Sequence, residues 1–375
     1  MKLLFIITGL SIGGAEKMLL KISSRIDRDK FDLSVISLTG KGEISRSLEC
    51  LGIPVYSMGM SFTRFNLLLF FRLIQLIARI KPDVVQTWLY HGDLIGGLAS
   101  RLAGVTNVCW NIRNCNLDKD KTKWSTRLVV KASALLSKIV PKYIVCNSNV
   151  AAKIHQDFGY SKSSFKIIPN GFDASELQPS TEFFEQIRNE LGISRSALVV
   201  GHVARFDPHK NHLGLIQAIS RVNDVYPNVQ YLLCGTNVDA SNIILNDWIR
   251  ESKVENNVHL LGPRNDVPQI MASLDLLVSS SVGESFPNVL GEAMACGVPC
   301  VTTDVGDSAY VVGETGGIVM PNDVEHLASS LIKVLNLSHI ERKKMGFSAR
   351  KRIIDYFSLE SVVHTYEELY LKMKI

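Results

Sequence analysis

Short apolar runs rich in Val and Ile alternate along this chain with longer segments of helical period. Such alternation marks βαβ units around a parallel sheet, since strands covered on both faces read as continuous apolar runs and crossover helices carry an apolar stripe. In the first part, strands are expected at residues 3–7, 33–38, 55–57, 84–87, 108–112, 143–146 and 166–168, with helices between them at 16–26, 43–51, 67–80, 93–103, 123–139 and 150–158. The series then restarts. Strands are expected at 198–204, 229–234, 258–261, 274–279 and 299–303, and helices at 211–226, 242–252, 267–272, 289–295 and 324–335. Between the two series lies I-P-N-G-F-D at 168–173, where Pro, Asn and Gly in succession favour a turn. Two more helices, 340–354 and 359–374, close the chain.

The pattern predicts an α/β protein of two Rossmann-like, doubly wound parallel-sheet domains facing across a cleft. Ligands of open α/β sheets bind outside the carboxyl ends of the strands, so the loops there are the place to look for chemistry.

Composition narrows the class. The 375 residues are 46% hydrophobic, with 41 Lys plus Arg against 36 Asp plus Glu, which excludes disorder and suits two domains of ordinary size. The net charge of +5 hides a split: 24 basic against 11 acidic side chains up to Asn170, and 17 against 25 from Gly171 onward, or +13 and −8. Such asymmetry suggests that the first domain faces an anionic partner. No apolar stretch is long enough to span a bilayer; residues 62–80 come nearest and are interrupted by Arg64, Arg72 and Arg79. The opening M-K-L-L-F-I-I ends at Thr8-Gly9 without a cleavage site, and a cytoplasmic protein is expected. Seven scattered cysteines fit reduced thiols better than a disulfide framework, and the Cys296/Cys300 pair lacks partners for a zinc site.

Three segments carry chemistry. G-L-S-I-G-G-A-E at 9–16 follows the first strand and opens the first helix, so Gly13 and Gly14 can bring backbone amides and a helix start to a phosphate; a simple tight turn would read the same. G-H-V-A-R-F-D-P-H-K-N at 201–211 places Arg205 and Lys210 in a loop after a strand, where two cations can converge on a diphosphate. Asp207 and Pro208 shape that turn, Asn211 can cap the next helix, and His202, His209 and His212 read as loop and core histidines. G-E-S-F-P-N-V-L-G-E-A-M-A-C-G-V-P at 283–299 puts Glu284 before a helix whose first turn offers the amides of Asn288, Val289 and Leu290. Glu292 lies inside that otherwise apolar helix, where burying a carboxylate requires a hydroxylated or cationic partner.

In that order, with seven residues between the two glutamates, these segments resemble the retaining glycosyltransferases of family 4, which have the GT-B fold. N-G-F-D at 170–173, G-P-R-N-D-V-P at 262–268, A-C-G-V-P at 295–299 and Y-F-S at 356–358 add to the resemblance, which covers nearly the whole chain. It implies that Arg205 and Lys210 bind the diphosphate of a nucleotide sugar, Glu292 the ribose, and Glu284 a hydroxyl of the donor sugar, helped by amides near Phe286, Asn288, Val289 and Leu290. Gly262 and Arg264 would lie near the base, and Gly13 and Gly14 would close over the phosphates from the first domain. The family's last helix returns to the first domain, which implies an acceptor domain of residues 1–170 plus 356–375 and a donor domain of 171–355. Transfer with retention, with the leaving diphosphate taking the acceptor's proton, is expected. The co-substrate would be a UDP-linked sugar, with no permanently bound cofactor and no metal. One departure concerns the first domain. Relatives place a His after the fifth strand, where C-W-N-I-R-N here offers Arg113; His91, in T-W-L-Y-H-G-D, is the substitute catalytic candidate, although a helix-start histidine would read the same.

D-K-D at 118–120 and D-R-D at 27–29 imitate a metal-binding motif, but both sit in basic loops. Basic amphipathic segments at 64–81 and 113–142, the second containing Trp124, suit an anionic leaflet, which points to peripheral association with the inner face of the cytoplasmic membrane and a lipid-linked or glycan acceptor. A non-hydrolysing nucleotide-sugar epimerase is the alternative enzyme, but it needs an acid and base pair that is not evident. A nucleic-acid binder lacks any recognition module and leaves both glutamates unexplained.

Overall fold

The computed structural model describes residues 1–61, 66–115, 117 and 124–374. The chain divides into two units, Met1–Gly171 with Leu359–Ile375, and Phe172–Ser358. The D-K-D at 118–120 lies outside the described residues.

The first unit holds seven parallel strands: β1 (Lys2–Ile7), β2 (Asp32–Ser37), β3 (Val55–Ser57), β4 (Val84–Trp88), β5 (Val108–Ile112), β6 (Tyr143–Cys146) and β7 (Phe165–Ile167), in the order β3-β2-β1-β4-β5-β6-β7. Residues Leu3 to Ile7 of β1 are all buried, as a strand covered by helices on both faces requires. The helix Leu359–Lys374 completes this core by burying Val362, Val363, Tyr366, Tyr370 and Met373 among the side chains of β1 and the helix Gly14–Arg25.

The segment after β4 is less regular than the expected helix 93–103. It starts as a helical turn at Leu89–His91, widens into a π-helix at Gly92–Gly96 and continues as an α-helix at Gly97–Leu102. Two close approaches account for this. Gly92 donates its amide to the Thr8 hydroxyl at 3.2 Å, and the Asp93 carboxylate turns inward to accept from the Thr87 hydroxyl at 2.5 Å and the Asn111 amide at 3.2 Å.

The second unit has six parallel strands, β8 (Val199–Val203), β9 (Gln230–Cys234), β10 (Val258–Leu260), β11 (Leu276–Ser279), β12 (Cys300–Thr303) and β13 (Gly317–Val319), in the order β10-β9-β8-β11-β12-β13. Strand β13 is not evident from the sequence because it opens on Gly316-Gly317, which reads as a turn. There a Cβ at Gly316 would collide with the Cys300 carbonyl, and one at Gly317 would meet the Ser330 hydroxyl at 2.5 Å. The helix Thr181–Glu190 was also hidden, by its polar composition. Ser180 caps it at the Phe183 amide, and the terminal nitrogens of the buried Arg188 are held by Asp275 at 2.7 Å and the carbonyls of Ser194 and Ala197.

Tyr356, Phe357 and Ser358 stay with the second unit. Phe357 is fully buried there, and its carbonyl accepts from the Phe172 amide at 2.9 Å. No disulfide joins any two of the seven cysteines, five of which are buried. No described helix is long and apolar enough to cross a membrane.

Candidate active site

Each sheet has one point where its strand order reverses, between β1 and β4 in the first unit and between β8 and β11 in the second. Loops leaving the carboxyl ends of such neighbouring strands diverge to opposite faces and open a crevice. The sequence candidates fall on these two points: Gly13 and Gly14 after β1, His91 after β4, Arg205 and Lys210 after β8, and Glu284 after β11.

In the second unit the two loops are laced together. Ser280 donates its hydroxyl to the carbonyls of Lys210 at 2.8 Å and Asn211 at 3.2 Å, and the Val282 amide donates to the His209 carbonyl at 2.8 Å. Residues 74 positions apart thereby meet: Lys210 Nζ donates to Glu284 Oε1. The same carboxylate oxygen accepts the Ser281 hydroxyl at 2.7 Å. Both partners of the ion pair are largely shielded, with side chains 20% and 12% exposed. On the far side, Gly306 has φ +56°, and a Cβ there would collide with the Glu284 carbonyl, so the Glu284 loop is fitted closely against a glycine turn. Asn211, at φ 50°, caps the helix His212–Val225 through its side chain on the Gly214 amide.

Arg205 differs from Lys210 in that it is largely exposed and held by a local partner. Its Nε and Nη2 both donate to Asp207 Oδ2 at 3.1 Å, while Asp207 Oδ1 caps the short turn Pro208–Lys210 at the His209 amide. His202 and His212 are buried edge to face with centroids 4.9 Å apart, and burial pushes their pKa values down to about 3 and about 4, which makes them neutral core histidines.

The helix Asn288–Ala295 begins after Pro287 with no side-chain cap. The Leu290 amide turns back on the Pro287 carbonyl at 3.3 Å, so it is less available than expected. Leu290, Gly291 and Ala293 to Ala295 are buried, while Glu292 is half-buried among them. The Phe286 ring belongs to the core, stacked on Phe172 at 6.3 Å and edge-on to Phe357 at 6.0 Å. Gly262, at φ 64°, closes the turn after β10 through its amide on the Val238 carbonyl. Arg264 is engaged by two carboxylates, Asp266 through Nε and Nη2 at 2.8 and 2.7 Å and Glu190 through Nη1 and Nη2 at 2.6 and 3.2 Å. Its guanidinium is thus committed to a surface cluster within this unit.

In the first unit Gly13 is extended and precedes the helix Gly14–Arg25, and a Cβ at Gly13 would collide with the Glu16 carboxylate, which folds back over the helix start. Burial lowers the pKa of His91, which favours the neutral ring. Arg113 is committed elsewhere. Its Nε donates to Asn111 Oδ1 at 2.9 Å, Nη1 to Asn170, and Nη2 to the Tyr366 hydroxyl at 2.7 Å, with the guanidinium 4.8 Å from the Trp88 ring centroid. Arg113, which stands where relatives have the histidine, is thus bound into the fold of the first unit.

D-R-D at 27–29 forms a turn in which Asp27 accepts from the Asp29 amide and pairs with Lys30 at 2.7 Å. No group of three or more His, Cys, Asp or Glu side chains among the described residues could hold a metal ion. Sequence reasoning passed over Ser280, Ser281 and Asp93. The run Ser279-Ser280-Ser281 at a strand's carboxyl end, just before Glu284, was the available signal for the first two.

Comparison with known proteins identifies the family and the fold. Residues 12–176 match the model of Glycosyltransferase Family 4, and residues 197–337 match that of Glycosyl transferases group 1. A UDP-Gal:alpha-D-GlcNAc-diphosphoundecaprenol alpha-1,3-galactosyltransferase of Escherichia coli is 24% identical over 97% of this chain and 95% of its own length. The capsular polysaccharide biosynthesis glycosyltransferase CapM of Staphylococcus aureus is 24% identical over 80% of this chain and 79% of its own. Among solved structures, Anabaena HepE in complex with UDP superposes with a TM-score of 0.87 at 24% identity, covering 98% of this chain and 99% of that one. With both halves matched by models of one glycosyltransferase family and the two-domain GT-B fold in common, the chain belongs to glycosyltransferase family 4, the group 1 glycosyltransferases.

Proposed function

We propose that this glycosyltransferase moves a hexose or N-acetylhexosamine from a UDP-sugar to a lipid-linked or polysaccharide acceptor in bacterial surface glycan synthesis, with retention at the anomeric carbon and without a metal. The Lys210–Glu284 pair at the switch point of the second sheet carries this reading, because it sets a cation for a diphosphate beside a carboxylate for a sugar hydroxyl. UDP and UDP-glucose bound to the Anabaena structures, and the diphosphoundecaprenol-linked acceptor named for the Escherichia coli relative, support the choice of donor and acceptor class.

In this reading Arg205 and Lys210 hold the diphosphate, Glu284 a donor hydroxyl and Glu292 the ribose. The turn at Gly262 and the Asn288–Val289 helix start supply backbone groups, and within the first unit Gly13, Gly14 and His91 stand at that sheet's own switch point. The bond between the anomeric carbon and the diphosphate oxygen breaks as the acceptor hydroxyl attacks from the same face, and the acceptor's proton passes to the departing diphosphate. Charge stabilisation of that leaving group by two cations is worth on the order of 2–4 kcal/mol per donor removed.

Peripheral membrane association belongs to the same proposal. The helix Leu67–Ile80 buries only Leu73 and Ile77 and exposes Leu67, Leu68, Phe71, Arg72 and Arg79. The helix Trp124–Leu136 exposes Trp124, Leu128, Lys131 and Leu135. Helices that expose apolar and basic side chains together suit an anionic leaflet.

Screening nucleoside diphosphates and their sugars by thermal shift, then determining the anomeric configuration of the product by NMR with and without EDTA, tests the proposal. An α-linked product from an α-linked UDP-sugar, formed equally with EDTA, is expected; an inverted product or an EDTA-sensitive rate contradicts it.

A further inference from the structure

Glu284 Oε1 has two donors of different character. Lys210 carries three N–H bonds on a long flexible stem, so a diphosphate arriving beside it takes a share of the ammonium and weakens its hold on the carboxylate. Ser281 has one proton, directed to Glu284 at 2.7 Å, and its side chain is shorter and stiffer. Its backbone is fixed as well. The Thr303 hydroxyl donates to the Ser281 carbonyl, the neighbouring Val282 amide donates to the His209 carbonyl, and Ser281 is 1% exposed. A buried hydroxyl set this firmly, next to the one carboxylate that must keep its orientation while its ion-pair partner is drawn away, has a definable task.

We propose that Ser281 is a positioning residue for the transfer reaction. Its hydroxyl holds the Glu284 carboxylate in the orientation that meets the donor sugar when the donor's diphosphate draws on Lys210. This rests on the reading of Lys210 and Glu284 as diphosphate and sugar ligands. The diphosphate itself gains nothing from Ser281, so the residue acts on the sugar-dependent part of the reaction.

Four proteins test this: wild type, Ser281→Ala, Glu284→Ala and the double variant, with Ser281→Thr as the conservative replacement. Transfer or donor hydrolysis is followed under single-turnover conditions with UDP-galactose and UDP-glucose, and UDP affinity is measured by calorimetry. Ser281→Ala is expected to lower the single-turnover rate about tenfold while UDP affinity stays within twofold of wild type, and Ser281→Thr to recover most of the rate. In the Glu284→Ala background the same substitution is expected to change the rate less than twofold, because there is no carboxylate left to orient. A tenfold loss in both backgrounds, or a UDP affinity that falls in step with the rate, overturns the proposal and makes Ser281 a general support of the loop. Wild-type protein that binds no UDP and turns over neither donor defeats the underlying reading of the site instead.

Discussion

Arg113 Nη2 donates to the Tyr366 hydroxyl at 2.7 Å, joining residues 253 positions apart. The same guanidinium holds Asn111 and Asn170, so one side chain at the end of β5 ties the turn that leaves the first unit to the helix that returns to it. Replacing Arg113 with Ala removes three charge-assisted hydrogen bonds, to Asn111, Asn170 and Tyr366, a loss of about 2–4 kcal/mol. Tyr366→Phe removes a single hydroxyl and is expected to cost about 1 kcal/mol. Urea unfolding should rank the two in that order, with faster amide exchange across the helix Leu359–Lys374 in the Arg113 variant. Equal stability of Arg113→Ala and wild type would contradict this role.

Asp93 makes the stability of the first unit depend on pH. Burial raises its pKa to about 7, against the lowering effect of the Thr87 hydroxyl and the Asn111 amide. The folded protein therefore holds this proton more tightly than the unfolded chain, whose carboxylate titrates near ~4. Its contribution is fully present below about pH 4, declines as pH rises toward 7, and is lost above that. Asp93→Asn keeps an acceptor for both donors and removes the titration. The stability of Asp93→Asn relative to wild type is expected to increase by roughly 2–4 kcal/mol between pH 4.5 and 7.5. Parallel pH profiles from urea unfolding of the two proteins would show the assignment to be wrong.

Gly291 opposes helix propensity to packing. It lies inside the helix Asn288–Ala295, where Ala is ordinarily better than Gly by about 1 kcal/mol. A Cβ at this position would collide with the Phe172 ring, which is fully buried and stacked on Phe286. Overpacking of a closed core costs about 1–3 kcal/mol and outweighs the propensity gain. Gly291→Ala is expected to lower the melting temperature, and Phe172→Leu in the same chain to recover part of the loss. A higher melting temperature in the single variant would mean that the ring moves aside freely.

The legible parts of this molecule are those in which one segment reports on itself. Apolar runs such as those of β1 and β4 and the periodic helices between them follow directly from local pattern, and so does the Asn211 cap, because neighbours along the chain decide them. The loop of Arg205 and Lys210 and the segment of Glu284 are visible in the sequence as motifs. Their connection is not, because Lys210 meets Glu284 through the adjacency of β8 and β11 rather than through sequence spacing. Arg113 is the sharpest case: as an isolated letter it stood in for a missing histidine, whereas its partners Asn170 and Tyr366 are defined only once the last helix is in place. Arg264 likewise has a partner that the sequence conceals, Glu190, on a helix hidden by its polar composition. Strand β13 was lost for the opposite reason, since glycines needed for close approach to β12 and the next helix look like a turn.

In the proposed reaction the switch point of the second sheet binds the diphosphate of a UDP-sugar through Lys210. Calorimetric titration of UDP into wild-type protein and into Lys210→Ala tests it most directly. Saturable one-to-one binding to the wild type, weakened at least about tenfold or ~1.4 kcal/mol in the variant, is the predicted result. The absence of saturable UDP binding to wild type, or equal affinity of the two proteins, would contradict it.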